Sequence, residues 1–579
     1  MRKLWPFLWQ YRGKLSAGFL LLIVSNALGI LIPWLLKGAI EALKGPPEGV
    51  RLLLPAGLMV AAALGRGLAR VYSRWLILGA SRHVEYDLRN LLLRHLQVLS
   101  RTFYLRTPTG EIMSRAPHDL NDVRMLLGPG LTHSLNTAVV YFFVVSAMVL
   151  LSPRLTLYAL LLYPLWFLGM RGLFARLHDL SERSQETLAA VSTQVHENLS
   201  GMMVVKAFVQ EEAERRQFAR LNDGYLRLNS LYARGRGYLY GLMSLMGGVG
   251  SLIILWVGGR SVISEEMSLG AFVAFNSYLA MLLWPTTALG WILSLFQRGL
   301  TAWGRLQGIL SEAPDVLDGQ GALAPLLAPR LRGEIEIRNL HYAYDGAGPV
   351  LKGVNLHIRP GEWVAIVGPV GCGKSTLVRL LPRLLPVPRG HIFLDGRELH
   401  QIPLRVLREE IGFIPQEPFL FSRTISQNIA FGDEAPPFSA IQAAAERAQF
   451  AEEVERFPKG FGAMLGERGI TLSTGQRQRA TIARGIIGPH SVLIIDDGLS
   501  SLDARTALNL LAELRRHGRG RTTLFISHNL TAVKEVDRII VLKEGRVEEE
   551  GTHDALLARG GLYHELFERQ RLLAELEAL

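Results

Sequence analysis

The chain has 579 residues, 49% of them apolar and 20% charged, with a formal net charge of +12. A charged fraction below the roughly 25% of soluble globular chains excludes a disordered protein and argues against an ordinary cytosolic enzyme. A lone cysteine, Cys372, excludes an intrachain disulfide framework and any cysteine-cluster zinc or iron–sulfur site. The positive balance fits nucleic acid, anionic headgroups or anionic substrates, and its distribution along the chain must decide.

Up to Phe296 the chain holds six long apolar stretches, at 15–40, 52–80, 135–151, 155–174, 238–263 and 269–296. Crossing a bilayer takes about 20 mostly apolar residues, with a range of about 17–25, so these read as six membrane spans. The first follows a basic start, Arg2, Lys3, Arg12 and Lys14. Its apolar run exceeds the about 7–15 residues of a signal-peptide core, so an uncleaved span is expected. Ser152, Pro153 and Arg154 alone separate the third and fourth stretches, which predicts a tight hairpin.

Arginines crowd the connections between spans two and three and between spans four and five, from Arg82 to Arg115 and from Arg183 to Arg234. The connection between spans five and six carries Glu265 and Glu266 instead. Positive residues mark the cytoplasmic side. A multi-pass protein of the cell inner (plasma) membrane is expected, with both termini and both long connections cytoplasmic. Much of the basicity is then explained without nucleic acid, and no nucleic-acid partner is expected. The long connections carry helical periodicity, as at 84–99, so the spans are expected to continue out of the membrane as helical hairpins. These end near Thr107-Pro108-Thr109-Gly110 and Leu199-Ser200-Gly201.

The second span contains Arg66, Arg70 and Arg74 at i, i+4 and i+8, one helix face. An arginine at mid-bilayer costs about 2.5–3.5 kcal/mol. Counted from Leu52 at about 1.5 Å per residue, Arg66 lies about 21 Å into a core about 30 Å thick. Two readings stand: the stripe lines a substrate cavity and favours anionic or carboxylate-bearing substrates such as peptides, or it serves the interface and structural ion pairs. Met243, Met246, Phe275, Tyr278, Met281, Trp284 and Trp291 of spans five and six suit either adaptable apolar binding or helix packing.

Beyond Phe296 the character changes. Residues 311–333, rich in Pro, Gly, Ala and Asp, read as a linker. It divides a membrane domain, 1–310, from an alternating α/β domain, 334–579. Gly368 to Thr376, GPVGCGKST, fits the phosphate-loop pattern G-x-x-x-x-G-K-[ST], with an apolar strand at 363–367 before it and a helix after it. Gly368, Gly371 and Gly373 let backbone N–H groups turn toward phosphates, Thr376 closes the ATP-binding motif, and the helix that begins at 377–381 adds positive dipole. Lys374 is expected on the β/γ phosphates of ATP and Ser375 on Mg²⁺. A second strand, 491–495, ends at Asp496-Asp497, where a doubly wound sheet places ligand chemistry. Asp496 is expected at Mg²⁺ and Asp497 beside the attacking water. A third strand, 523–527, ends at His528, at the same sheet edge.

Leu472-Ser473-Thr474-Gly475-Gln476 resembles the LSGGQ signature of the ABC ATPases. Gln416 in FIPQEPFLFS resembles their Q-loop, Ser500-Ser501-Leu502-Asp503 their D-loop, and Gly466-Glu467-Arg468-Gly469 the X-loop of ABC exporters. Tyr344 stands where that family stacks an aromatic on adenine. TGEIMSR (109–115) and ENLSGMMVVKAF (197–208) resemble the exporters' coupling helices. The resemblance spans nearly the whole chain and is to half-transporters of the type IV, TAP-like heterodimeric multidrug and peptide exporters. It implies a polytopic α-helical membrane domain, six transmembrane helices with long cytoplasmic extensions, followed by an α/β P-loop ABC ATPase domain on the cytoplasmic side. It also implies ATP and Mg²⁺, with Gln416 as a further metal ligand, and catalytic roles for Asp497, His528 and Gln416. Ser473, Thr474, Gly475 and Gln476 would complete a partner's ATP site, so the chain must dimerise, with Asp503 in the D-loop.

The chain departs from the family at Asp497, where a glutamate is usual. One methylene less would hold the carboxylate about 1 Å or more from the water, a displacement that can cost about 10²-fold in rate. A degenerate site follows, completed by a second half-transporter bearing the glutamate and moving amphipathic or peptide-like substrates. The alternatives are backbone shifts that keep Asp497 working, a homodimeric lipid flippase, and a non-pumping regulatory subunit.

Overall fold

Long apolar runs with few breakers fold as long helices, and the first part of the chain is built of them. The computed structural model describes residues 4–43, 50–318, 331–344, 346, 348–432, 436–466, 469–518 and 520–577. Its contacts divide it into two units: Met1–His95 with Gly110–Ser311, and Leu96–Thr109 with Glu312–Leu579.

In the first unit a short α1 (Trp5–Gln10) leads into α2 (Arg12–Ala42) and α3 (Val50–Val98). After α4 (Arg101–Arg106), which belongs to the second unit, α5 (Thr109–Met125) runs through a π-helical turn at Leu126–Gly130 into α6 (Leu131–Leu151). Ser152 caps the next helix by accepting from the Leu155 N–H at 3.3 Å, and Pro153 takes the first helical position, where no N–H is needed. This is the expected hairpin. α7 (Pro153–Ser200), α8 (Met202–Ala207), α9 (Glu211–Ile253), α10 (Gly259–Ile263) and α11 (Leu269–Ser311) complete the unit.

Among the described residues, five helical stretches are long and apolar enough to cross a membrane: Arg12–Ala42, Leu52–Val98, Thr109–Leu151, Glu211–Ile263 and Leu269–Ser311. The fourth expected span falls in α7, where several side chains between 162 and 170 lie outside the described set. Only 11% of the apolar window of α3 is buried against protein. α2, α6 and α11 pack together around Val144, Met148, Phe275, Tyr278 and Leu282, all buried. Tyr278 donates to the Ile30 carbonyl at 2.8 Å, fastening α11 to α2. Gly270 lets α11 come close to α2, because a Cβ there would stand 2.5 Å from the Lys37 carbonyl oxygen.

The second unit holds two sheets. Four strands, β1 (Ile335–Ala343), β2 (Pro349–Ile358), β4 (Ile392–Leu394) and β5 (Arg397–Glu398), form an antiparallel sheet in the order β2-β1-β4-β5. The other sheet has the order β10-β9-β3-β8-β7-β6, with β3 (Trp363–Val367), β6 (Ile411–Ile414), β7 (Val492–Asp496), β8 (Thr522–Ile526), β9 (Arg538–Lys543) and β10 (Arg546–Gly551). Its first five strands in space after β10 are parallel, and β10 pairs antiparallel to β9 at the edge. Strands buried on both faces read as continuous apolar runs, as WVAIV and VLIID do. Val364 and Ile366 pack on one face; Ala365 and Val367 pack on the other. With β3, β8 and β7 side by side and parallel, the loops after Val367, Asp496 and Ile526 open on one sheet edge.

The short helix next to the first breaker is α4, ahead of Pro108, whereas TGEIMSR forms the opening turns of the long α5. Thr107 is extended (φ −122°, ψ 99°), as the residue before a proline must be, so the helix stops at Arg106 and restarts after Pro108. The Ser100 hydroxyl bonds the Asp315 carboxylate within the second unit. At the second breaker α7 ends at Ser200, and α8 covers the middle of the expected 197–208 segment.

Candidate nucleotide site and membrane cavity

The phosphate loop leaves β3 at Gly368. Its φ of +145° and a virtual Cβ only 2.1 Å from the Leu542 carbonyl oxygen admit glycine alone. Gly371 and Gly373 also take positive φ, 82° and 103°, and α12 (Lys374–Leu380) starts immediately after. Lys374 is 5% exposed, and its Nζ donates to the Gly368 and Pro369 carbonyls at 2.8 Å each. The ammonium is thus held across the loop. Cys372 is buried, with its Sγ 3.8 Å from the same Nζ.

Ser375 donates from Oγ to Asp496 Oδ1 at 2.6 Å, and Asp496 is fully buried at the end of β7. Arg379 Nη2 lies 3.0 Å from Asp496 Oδ2, an ion pair without hydrogen-bond alignment. Ser375 and Arg379 stand four residues apart on α12, so both reach the same carboxylate. Sequence reasoning missed Arg379; its i+4 spacing from the loop serine was the available signal. A hydroxyl and a carboxylate brought together at a phosphate loop are hard oxygen donors, which fits Mg²⁺.

Asp497 follows at φ +50°, in the left-handed region that aspartate tolerates better than most residues. It is 7% exposed, and Gln416 Nε2 donates to its Oδ2 at 3.3 Å. Burial pushes the Asp497 carboxyl above the usual carboxylate range, against the opposing pull of the His528 charge and backbone N–H. The His528 side chain is exposed, and its backbone N–H reaches the Asp497 carboxylate. Gln416 therefore meets Asp497 here rather than Asp496. Tyr344 is half-buried with its hydroxyl 3.1 Å from Thr376 Oγ1, beside α12, and it stands edge-on to Tyr342.

The signature segment opens the helix Thr474–Ile486 through a capping box. Ser473 Oγ accepts from the Gln476 N–H at 3.2 Å, and the Gln476 side chain accepts from the Ser473 N–H at 2.9 Å. Thr474 Oγ1 accepts from Arg477 at 3.1 Å, while a Cβ at Gly475 would meet nothing nearer than 3.7 Å. Within this chain nothing demands glycine at 475. Gln478 donates to the Gly498 carbonyl at 2.5 Å, tying the signature helix to the chain just after Asp497. Asp503 caps the helix Ala504–His517, and the Thr506 N–H on its carboxylate holds that carboxyl below the usual range. Residues 467–468 of the expected X-loop lie outside the described residues.

In the helical unit the three arginines part company. Arg66 is half-buried with its guanidinium against Gly29 of α2, where a virtual Cβ would stand 3.1 Å from Cζ. Arg70 and Arg74 are exposed. Arg74 lines a cavity of about 920 Å³ with His133, His178, Tyr232, Arg236, Trp284 and Trp291. Phe275 and Tyr278 are core residues, and Met281 packs against them. The side chains of Met243 and Met246 lie outside the described residues.

Two family models match the sequence: the ABC transporter transmembrane region over residues 15–286 and the ABC transporter over residues 351–500. An ATP-dependent lipid A-core flippase of Syntrophus aciditrophicus is 32% identical over 557 residues, 96% of this chain and 92% of that protein. A probable multidrug resistance ABC transporter ATP-binding/permease protein, YheI of Bacillus subtilis, is 32% identical over 99% of this chain and 98% of its own length. The solved structure of a bacterial Atm1-family ABC exporter with ATP bound superposes with a TM-score of 0.79 at 27% identity, covering 96% of this chain and 99% of that one.

Proposed function

This chain belongs to the ABC transporter family, as a multi-pass, ATP-hydrolysing exporter half-transporter of multidrug or lipid type, and on that premise we propose that it works in a heterodimer whose ATP site on its own phosphate loop is catalytically degenerate. The observation that carries this reading is Asp497. Its short carboxylate stands where the family places a longer one, and Gln416 Nε2 donates to it at 3.3 Å.

The chemistry is in-line attack of water on the γ-phosphate. Lys374 and the loop N–H groups hold the phosphates, and Tyr344 supports the adenine. Ser375 and Asp496 would hold Mg²⁺, which would neutralise charge on the phosphates, and Gln416, bonded to Asp497 here, would turn to join its surroundings. His528 orients the γ-phosphate. Asp497 reaches the water poorly, so this site binds ATP and turns it over slowly. Ser473, Thr474, Gly475 and Gln476 complete the other site, on a partner bearing the glutamate, and Asp503 lies in the D-loop between the sites. Closure of the ATPase domains switches the helices from inward- to outward-facing, and an amphipathic, peptide-like or drug-like substrate leaves the cytoplasm across the inner membrane. The domains divide at 1–310, 311–333 and 334–579.

The likeness to a lipid A-core flippase favours one other reading, a homodimer moving lipid with Asp497 as base in both sites. Purifying the tagged chain from its native membrane and sequencing what accompanies it decides between them. A distinct half-transporter with glutamate after the Mg²⁺-binding aspartate is expected; recovery of this chain alone refutes the heterodimer. A non-pumping role predicts ionic current in place of ATP-dependent accumulation in vesicles.

A further inference from the structure

The cavity beside Arg74 collects residues that the nucleotide chemistry does not use. Arg74 comes from α3, His133 from α6, His178 from α7, Arg236 from α9, and Trp284 and Trp291 from α11. Among the described residues no aspartate or glutamate lines it. Arg236 sits 5.9 Å from each of the Tyr232 and Tyr240 rings, and its Nη2 donates to the Tyr240 hydroxyl at 3.3 Å. Arg74 has no ion-pair partner among the described residues. His133 lies between two indoles, 5.7 Å from Trp284 and 5.1 Å from Trp291 by ring centroid.

Like charges brought together from separate helices repel, and the repulsion grows as water is displaced. Arg74 and Arg236 are both exposed, and they line one concave space walled by aromatics. An anion relieves the repulsion, and guanidinium groups bind carboxylates through paired, charge-assisted hydrogen bonds. The volume, about 920 Å³, falls in the about 300–1,000 Å³ range of sites for drug-sized molecules.

We propose that Arg74 and Arg236, with His133 between Trp284 and Trp291, form a subsite for the carboxylate of an aromatic or apolar amphiphile. The arginines take the carboxylate and the indoles take the ring. This rests on the reading of the helical unit as the transport path, and it adds a preferred charge.

The test uses the full chain with its co-purifying partner in nanodiscs and three probes sharing one fluorophore: dansylglycine, its neutral amide and dansylcadaverine. Binding is read by fluorescence anisotropy at neutral pH. Dansylglycine is expected to bind about tenfold or more tightly than the amide, a difference of about 1.4 kcal/mol, and the cation weakest. Arg74→Gln with Arg236→Gln is expected to bring the anion within twofold of the amide, while the amide still binds. Arg74→Lys, which keeps the charge, is expected to retain most of the preference. An anion preference that survives the double glutamine variant overturns the subsite. Equal binding of all three probes that Trp284→Ala with Trp291→Ala abolishes also overturns it, yet leaves the transport path standing. Binding that the tryptophan pair does not alter, or no binding of any probe, overturns both.

Discussion

Neutralising Asp497 separates a degenerate site from a working one. A misplacement of about 1 Å at a reacting group can cost about 10²-fold, or about 2.7 kcal/mol of barrier at about 1.36 kcal/mol per factor of ten. Asp497 has reason to suffer all of it. Its backbone is turned to φ +50° at the end of β7, and its carboxylate is anchored by Gln416 at 3.3 Å and by the His528 N–H. A site slowed about 10²-fold supplies about 1% of the turnover of a dimer whose other site is intact. Asp497→Asn is therefore expected to lower steady-state ATPase activity less than threefold. Changing the catalytic glutamate of the proposed partner to glutamine should lower it by about 10²-fold or more, the scale of a lost catalytic base. Asp497→Glu should restore a second working site and raise turnover by up to about twofold on the same reasoning. Phosphate release by purified dimers at saturating Mg-ATP gives all three numbers. If Asp497→Asn alone abolishes turnover, the degenerate-site reasoning fails, and a symmetric homodimer with aspartate as base replaces it.

Four further outcomes are expected. Lys374→Ala weakens Mg-ATP binding at this chain's own loop, because no other ammonium bridges the Gly368 and Pro369 carbonyls; undiminished azido-ATP labelling of this chain would mean the loop is misassigned. Ser473→Ala removes the helix cap at a cost of about 1 kcal/mol, read as a modest drop in unfolding temperature, whereas Ser473→Arg silences the partner's site and most of the ATPase activity. Gly368→Ala, which would place a methyl 2.1 Å from the Leu542 carbonyl at a φ only glycine tolerates, abolishes nucleotide labelling even if the protein still inserts. Burial raises the Asp497 carboxyl above its unfolded value, so its contribution to stability is fully present below the unfolded pKa and is lost as pH rises through the folded one. Asp497→Asn should then raise the unfolding temperature at neutral pH, with the gain shrinking in acid; an unchanged or lowered temperature at pH 7 contradicts the raised pKa.

The nucleotide site was largely readable from the residues, because each part is a short local pattern and the parallel sheet brings the strand ends together. GPVGCGKST after an apolar strand and paired aspartates after another become neighbours once β3, β8 and β7 lie side by side. What the residues did not reveal was pairing across the site. Gln416 was expected at Mg²⁺ and in catalysis, and its motif did not announce its bond to Asp497; the left-handed backbone at Asp497 leaves no mark in composition. The break at Thr107-Pro108 was legible, but which side of it would carry the separate short helix was not. Proline extends the residue before it and tolerates a helix start after it, so the outcome depended on which segment found partners, and Leu96–Thr109 found them in the second unit.

The arginine stripe shows how a correct periodicity can still mislead about neighbours. Residues at i, i+4 and i+8 share a face only approximately. At 3.6 residues per turn each residue advances about 100°, so i+4 stands about 40° and i+8 about 80° around the axis from the first. Over two turns that drift carries a side chain from one neighbouring helix to the next gap. Arg66 accordingly packs on Gly29 of α2, while Arg74 has rotated to the cavity beside His133. The two readings of the stripe as a unit, cavity or structural, therefore divide along its length. Arg66 has a packing role: Gly29 is the small residue that admits its guanidinium, so Gly29→Val should displace it without touching the cavity. Arg74, which lines the cavity with Arg236, is the member whose charge should matter to substrate. If Arg66→Gln and Arg74→Gln alter dansylglycine binding equally, the helical drift has been given too much weight and the stripe acts as one surface after all.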